Sequence, residues 1–312
     1  MASDTAPLVE FDGITTVRGG EEVFDGLRLR LEPGRITVLM GESGSGKTTL
    51  VRHLVGLLEP TVGTVRINSR NIWEMKDAEL RRARTRMSAI VGGSTIVESS
   101  LFASLSVYDN VAYGLRLGAP DEDRVHESVI PVVRAFGLQD ILEQPVYQLS
   151  AHTKRRVVLA RALAADARLI VLDDIESGFD SRYTEKILDV LGAARSRGTS
   201  TFLITTHDPK LGRLLADEVA VLAEGKIVAY GPPDVVLDGI RTASDFHRCF
   251  GFSDNLVSAA AGGGASVRAE VAEFLLAREG KRPWPQVAPS TAWFVIGALV
   301  LLGLVALALL RV

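Results

Sequence analysis

The chain is poor in cysteine and has no surplus of positive charge. Its one cysteine, Cys249, excludes an internal disulfide framework and a thiolate zinc site. Lys and Arg number 35 against 38 Asp and Glu, a net charge of −3, so no basic stripe points to nucleic acid as a partner. Residues 1–10 carry acids and no apolar core, and no secretory signal is expected there. No internal period of solenoid length is present. What is there is globular in composition: 312 residues, 47% hydrophobic and 23% charged, enough for one large domain or two small ones.

The single long apolar run lies at the far end. Ala292 to Leu310 is 19 residues without a charge or a proline. As a helix it would extend about 28 Å, against about 30 Å of bilayer hydrocarbon. Lys281 and Arg282 precede it, with Trp284 and Trp293 near its start. A buried core helix or a removable lipid-anchor signal could also be apolar and terminal. The expectation is a transmembrane anchor over 291–311, with the bulk of the chain on the cytoplasmic face, tail-anchored and single-pass. Ahead of it, 251–290 is expected to be a linker: Ala259–Gly264 is flexible by composition. Ser266–Glu279 carries Val267, Val271, Phe274 and Leu275 on one helical face, packed on the domain or against a membrane or dimer partner. His53, His126 and His247 lack metal-like spacing and read as structural.

Residues 1–250 alternate apolar strands with helical stretches. Arg35–Met40, Leu169–Leu172, Thr201–Thr205 and Val219–Leu222 are short continuous apolar runs of the kind that fill a buried parallel sheet. The expected class is α/β, with a mostly parallel sheet and helices on both faces. Leu8–Leu31 and Thr64–Asn68 add a smaller antiparallel part. Residues 71–161 are expected to form an inserted, largely helical lobe.

Gly41-Glu42-Ser43-Gly44-Ser45-Gly46-Lys47-Thr48 fits G-x-x-x-x-G-K-[ST], follows a strand and opens a helical pattern at Thr49. That is the setting in which backbone N–H groups and a helix amino terminus converge on a phosphate. Lys47 is assigned to the β- and γ-phosphates of ATP and Thr48 to Mg2+. Asp173 ends a second apolar strand and is assigned to the metal, directly or through water. Asp174 beside it can orient or deprotonate an attacking water. His207, at the end of a third strand, can contact the γ-phosphate. A strand-end turn would explain either aspartate, and a structural role the histidine, without nucleotide.

With these motifs in order, residues Leu8 to Gly251 resemble the ATP-binding subunit of an ABC transporter, which implies a P-loop NTPase fold with a RecA-like, mostly parallel sheet. Leu149-Ser150, followed by Lys154–Leu163, stands at the signature; Ser177-Gly178-Phe179-Asp180 resembles the D-loop; His207 matches the switch histidine. Finer segments are similar to the Mla/Mce branch, whose members power lipid movement: Val17–Gly20, Ser106–Tyr113 and Gly225–Gly231. The resemblance implies a homodimer, or a heterodimer with a related ATPase, that sandwiches two ATP molecules and drives a separate integral-membrane permease. Ser150 would then meet the nucleotide of the opposite subunit.

The chain also departs from the family pattern. Ala151 and His152 stand where the signature carries glycines, and Gly93 stands where it carries the metal-sensing glutamine. Asp174 replaces the catalytic glutamate and is one methylene shorter. Val17 and Arg18 occupy the region of the adenine-stacking aromatic. Binding is thus better supported than turnover. The expectation is a slow, transport-coupled ATP hydrolase; the alternative is a regulatory subunit that uses ATP as a dimer clamp.

Overall fold

The computed structural model describes residues 6–92, 100–117, 121–165, 167–174, 189–192 and 200–251. All lie in the first of two compact units, Met1–Glu273. Gly93, Ser177–Asp180, Ser266–Glu279 and the apolar run at 291–311 fall outside them. Among the described residues no helix is long and apolar enough to cross a membrane.

A six-stranded sheet forms the centre: β3 (Ile36–Met40), β6 (Met87–Ile90), β7 (Leu169–Leu172), β8 (Thr201–Thr206), β9 (Glu218–Ala223) and β10 (Lys226–Gly231), in the order β10-β9-β3-β8-β7-β6. All neighbours pair in parallel except β10 with β9. The two-residue period of a strand sends alternate side chains to opposite faces. Ile36, Val38, Met40, Ile170, Leu172, Phe202 and Ile204 enter one core; Leu39, Leu169, Val171, Leu203 and Leu222 enter the other. Runs that looked merely apolar in sequence therefore feed two cores at once.

The second core is closed by a four-stranded antiparallel sheet in the order β2-β1-β4-β5: β1 (Val9–Arg18), β2 (Glu21–Leu31), β4 (Val62–Ile67) and β5 (Arg70–Asn71). In β1 the inward set is Val9 and Phe11, then Ile14 and Thr16. The skipped position is a bulge at Gly13, whose φ of 62° lets the strand change phase. Helix α1 (Lys47–Leu54) lies in this core through Leu50, Val51 and Leu54.

The stretch expected to be helical differs in one respect. After α2 (Asp77–Thr85) the chain makes β6, the edge strand of the central sheet, before entering the lobe. Met87-Ser88-Ala89-Ile90 is short and has a single β-branched residue, so it carries little strand signal. The lobe itself contains α3 (Val107–Arg116), α4 (Glu122–Ala135) and α5 (Ala151–Ala164). Ser106, Asp121 and Ser150 cap their amino ends by accepting from Asp109 N, Arg124 N and Thr153 N. Buried Asn110 ties the lobe's entry loop, accepting from Phe102 N at 2.9 Å and donating to Ser106 O at 2.9 Å. The chain then returns through α6 (Pro209–Leu215), α7 (Pro233–Val236) and α8 (Ala243–Phe250).

Candidate functional site: a phosphate cradle at the strand tips

Strands β3, β8 and β7 are consecutive neighbours in parallel register, with Met40 opposite Thr206 and Leu172 opposite Ile204. Their carboxyl ends consequently deliver Gly41, His207 and Asp173 to the same edge of the sheet, where α/β folds bind ligands. A cleft of about 690 Å³ opens there, within the roughly 300–1,000 Å³ of small-molecule sites. Gly41–Gly44 and Gly46–Thr49 line it together with Asp173, Asp174 and His207. Ser45 is buried, and among the described residues its Oγ has no hydrogen-bond partner. Every sequence-assigned residue of the loop is thus brought to one place with the two aspartates and the histidine.

The loop is shaped for an anion. Gly46 caps α1 at φ 103° with no side-chain cap hydrogen bond among the described residues, which leaves the helix's leading N–H groups to an anion. Gly44 has φ 85° with open space where a Cβ would stand. Gly41 is required for closeness, because a Cβ there would lie 2.5 Å from Leu222 O. The Lys47 ammonium rests against the neck of the loop, donating to Gly41 O at 2.6 Å and Glu42 O at 2.8 Å. An incoming polyphosphate offers it stronger, charged acceptors.

Asp173 is only 3% exposed. Its Oδ1 accepts from Thr205 Oγ1 at 2.7 Å and its Oδ2 from Gly92 N at 3.1 Å. Each oxygen keeps a further lone pair, so the carboxylate is held in orientation and can still serve a cation. Thr205 Oγ1 also accepts from Asp174 N at 2.8 Å. That bond fastens a left-handed bend, φ 59° at Asp174, a conformation Asp tolerates better than most residues. Among the described residues no cluster of three or more His, Cys, Asp and Glu forms a metal centre. A magnesium ion would instead draw on Asp173, Thr48 and the phosphates themselves, and this hard-oxygen donor set fits it.

Three assigned residues are elsewhere. Ser150 is exposed at the amino end of α5, hydrogen-bonded to Thr153, and does not line the cleft. Val17 and Arg18, at the exposed β1–β2 turn, do not line it either. Conversely, Thr205, Phe246 and His247 line it without having been singled out. Thr205 left no distinct trace in the sequence, since Thr201 and Thr206 of the same strand also carry hydroxyls. His247, read as structural, contacts Glu42 across 205 positions, a separation no local pattern reveals.

The ABC transporter family matches residues 24–177. A probable anion import ATP-binding protein of Haloferax volcanii is 34% identical over 233 residues, covering 70% of this chain and 78% of that one. The chain belongs to the ABC transporter family. Within it, the methionine import ATP-binding protein MetN of Corynebacterium glutamicum is 34% identical over 228 residues, 72% of this chain. The match spans 62% of that relative's length. Among solved structures, a dimeric ATP-binding cassette in a post-hydrolysis state, bound to ADP and phosphate, superposes with a TM-score of 0.63 at 24% identity. It covers 72% of this chain and 98% of that one, a likeness of fold.

Proposed function

We propose that this ABC transporter chain is an ATP-binding subunit that takes up MgATP at the 41–49 loop, closes as a dimer and slowly hydrolyses the nucleotide. Through a separate integral-membrane permease it drives transport of a lipid or another hydrophobic molecule. The observation that carries the reading is the meeting of an uncapped, glycine-lined helix amino end with Asp173, Asp174 and His207 in one cleft. Loop N–H groups and Lys47 bind and orient the polyphosphate. Thr48 and Asp173 would hold magnesium, which would supply positive charge against the phosphates. Asp174 accepts a proton from, or aligns, the attacking water, and His207 steadies the γ-phosphate edge. Ser150 and the start of α5 close on the nucleotide of the second subunit.

The lipid cargo rests on Val17–Gly20, Ser106–Tyr113 and Gly225–Gly231; the relatives named above carry methionine or anion import in their names. The run at 291–311 supports membrane anchoring on the cytoplasmic face, near the permease. Affinity capture of the full chain in mild detergent tests both, since the permease recovered reports the cargo class. Recovery without a permease would remove the transport reading.

A regulatory, non-hydrolysing subunit is the second reading. It is favoured by His152 at the start of α5 and by Asp174, one methylene short and turned back on itself at φ 59°. Phosphate release by the purified protein separates the two. Release above that of Lys47→Ala supports the enzyme, and release equal to it leaves the dimer clamp. A fast His152→Gly, Gly93→Gln double variant would identify those positions as the obstacle.

A further inference from the structure

Helix α8 forms part of the cleft wall although no part of the phosphate-binding signature asks for it. It is a well-anchored element. Thr242 and Asp245 form a reciprocal capping box at its amino end. Phe246 is 3% exposed in the larger core and lies 5.1 Å from the Phe250 ring, centroid to centroid. Burying Phe246 fixes the helix's rotation and brings the next residue, His247, to the cleft.

His247 Nδ1 hydrogen-bonds to Glu42 Oε1. A carboxylate oxygen only accepts, so Nδ1 carries the hydrogen and donates. Glu42 is the second residue of the phosphate loop, and its backbone carbonyl is one of the two that receive Lys47 Nζ. The same residue therefore supports the essential ammonium with its backbone and carries a negative charge beside the polyphosphate position with its side chain. That carboxylate is 20% exposed, whereas the His247 side chain is 67% exposed. Gly251 follows α8 at φ −65°, a value open to any residue. A Cβ there would stand 2.3 Å from His247 O and 2.8 Å from its Nδ1, so close approach to the last turn of α8, its carbonyl first, is what requires glycine.

We propose that His247 is a positioning residue for nucleotide binding. It holds the Glu42 carboxylate on the α8 side of the cleft, clear of the incoming phosphates. The inference rests on the reading that the loop binds MgATP. Without the hydrogen bond the Glu42 carboxylate loses this restraint, and like-charge repulsion with the anion in a partly desolvated cleft weakens affinity.

The test is MgATP titration calorimetry on the full chain, with thermal unfolding of each variant measured alongside. His247→Ala is expected to bind about 5- to 20-fold more weakly, the scale of one close like-charge contact. His247→Asn, whose amide keeps a donor near the Nδ1 position, restores affinity to within about twofold of wild type. In a Glu42→Gln background, His247→Ala no longer matters, because the charge it restrains is gone. A merely structural role for α8 would not be rescued this way. Wild-type affinity in His247→Ala, tighter binding, or a penalty that persists in Glu42→Gln overturns the proposal alone. A wild-type chain that takes up no MgATP overturns it together with the reading it rests on.

Discussion

Replacing Thr205 by valine tests how the two aspartates are held. The side chains are nearly isosteric, so the fully buried site keeps its volume and loses only a hydroxyl. Two bonds go with it: Oγ1 to Asp173 Oδ1 at 2.7 Å and Asp174 N to Oγ1 at 2.8 Å. A hydrogen bond to a charged group contributes about 1.5–3 kcal/mol, and a buried N–H left without a partner costs about 1–3 kcal/mol. The added apolar group returns about 0.8 kcal/mol. A net destabilisation of about 3 kcal/mol follows, or about 6–12 °C in Tm for a unit of this size. Thr205→Ser keeps both bonds, loses one methyl and should cost about 1 kcal/mol. Urea and thermal unfolding with and without MgATP measure both variants. If Thr205→Val is no less stable than Thr205→Ser, Thr205 does not bridge the aspartates and the described geometry is wrong.

Three further outcomes follow from the same geometry. Gly46→Ala combines a left-handed φ of 103° with a Cβ 2.7 Å from Phe24 Cε1; it should lose about 3 kcal/mol of stability and its MgATP binding, read by denaturation and titration. Asp174→Asn should bring phosphate release down to the Lys47→Ala level, whereas Asp174→Glu, restoring the missing methylene, should raise it about 10- to 100-fold. His53 is buried, with Nδ1 on Leu58 O at 2.5 Å and Nε2 at 2.8 Å from Thr16 Oγ1. Burial lowers its pKa from 6.5, against the opposing pull of the Leu58 carbonyl. The unfolded chain therefore binds this proton first, so stability present above about pH 6.5 declines as pH falls through the depressed native value; His53→Gln should flatten that slope in pH-dependent unfolding.

The legible part of this molecule was local. A glycine-rich turn between an apolar run and a helix, and apolar runs ending in Asp173 and His207, carry their signal within a few residues. Parallel register then brings those ends together. The β1 and β2 strands were legible as alternation, but the phase change at Gly13 needed a positive φ that composition does not display. β6 escaped because four residues with serine and alanine carry little strand propensity, and the sheet completes its edge by tertiary pairing with β7. Thr205 and His247 escaped for another reason. One acts through a bond to the tip of a neighbouring strand, the other through a contact spanning 205 positions. Neither has a periodic or motif signature, and both become visible only when burial and hydrogen-bond partners are known.

The central claim is that the loop between Gly41 and Thr49 receives the phosphates of a magnesium nucleotide. Isothermal titration of the folded chain with MgATP measures this directly. Saturable binding near one nucleotide per chain, abolished in Lys47→Ala at unchanged unfolding temperature, is the predicted result. The absence of saturable heat in a wild-type chain that unfolds cooperatively would contradict it.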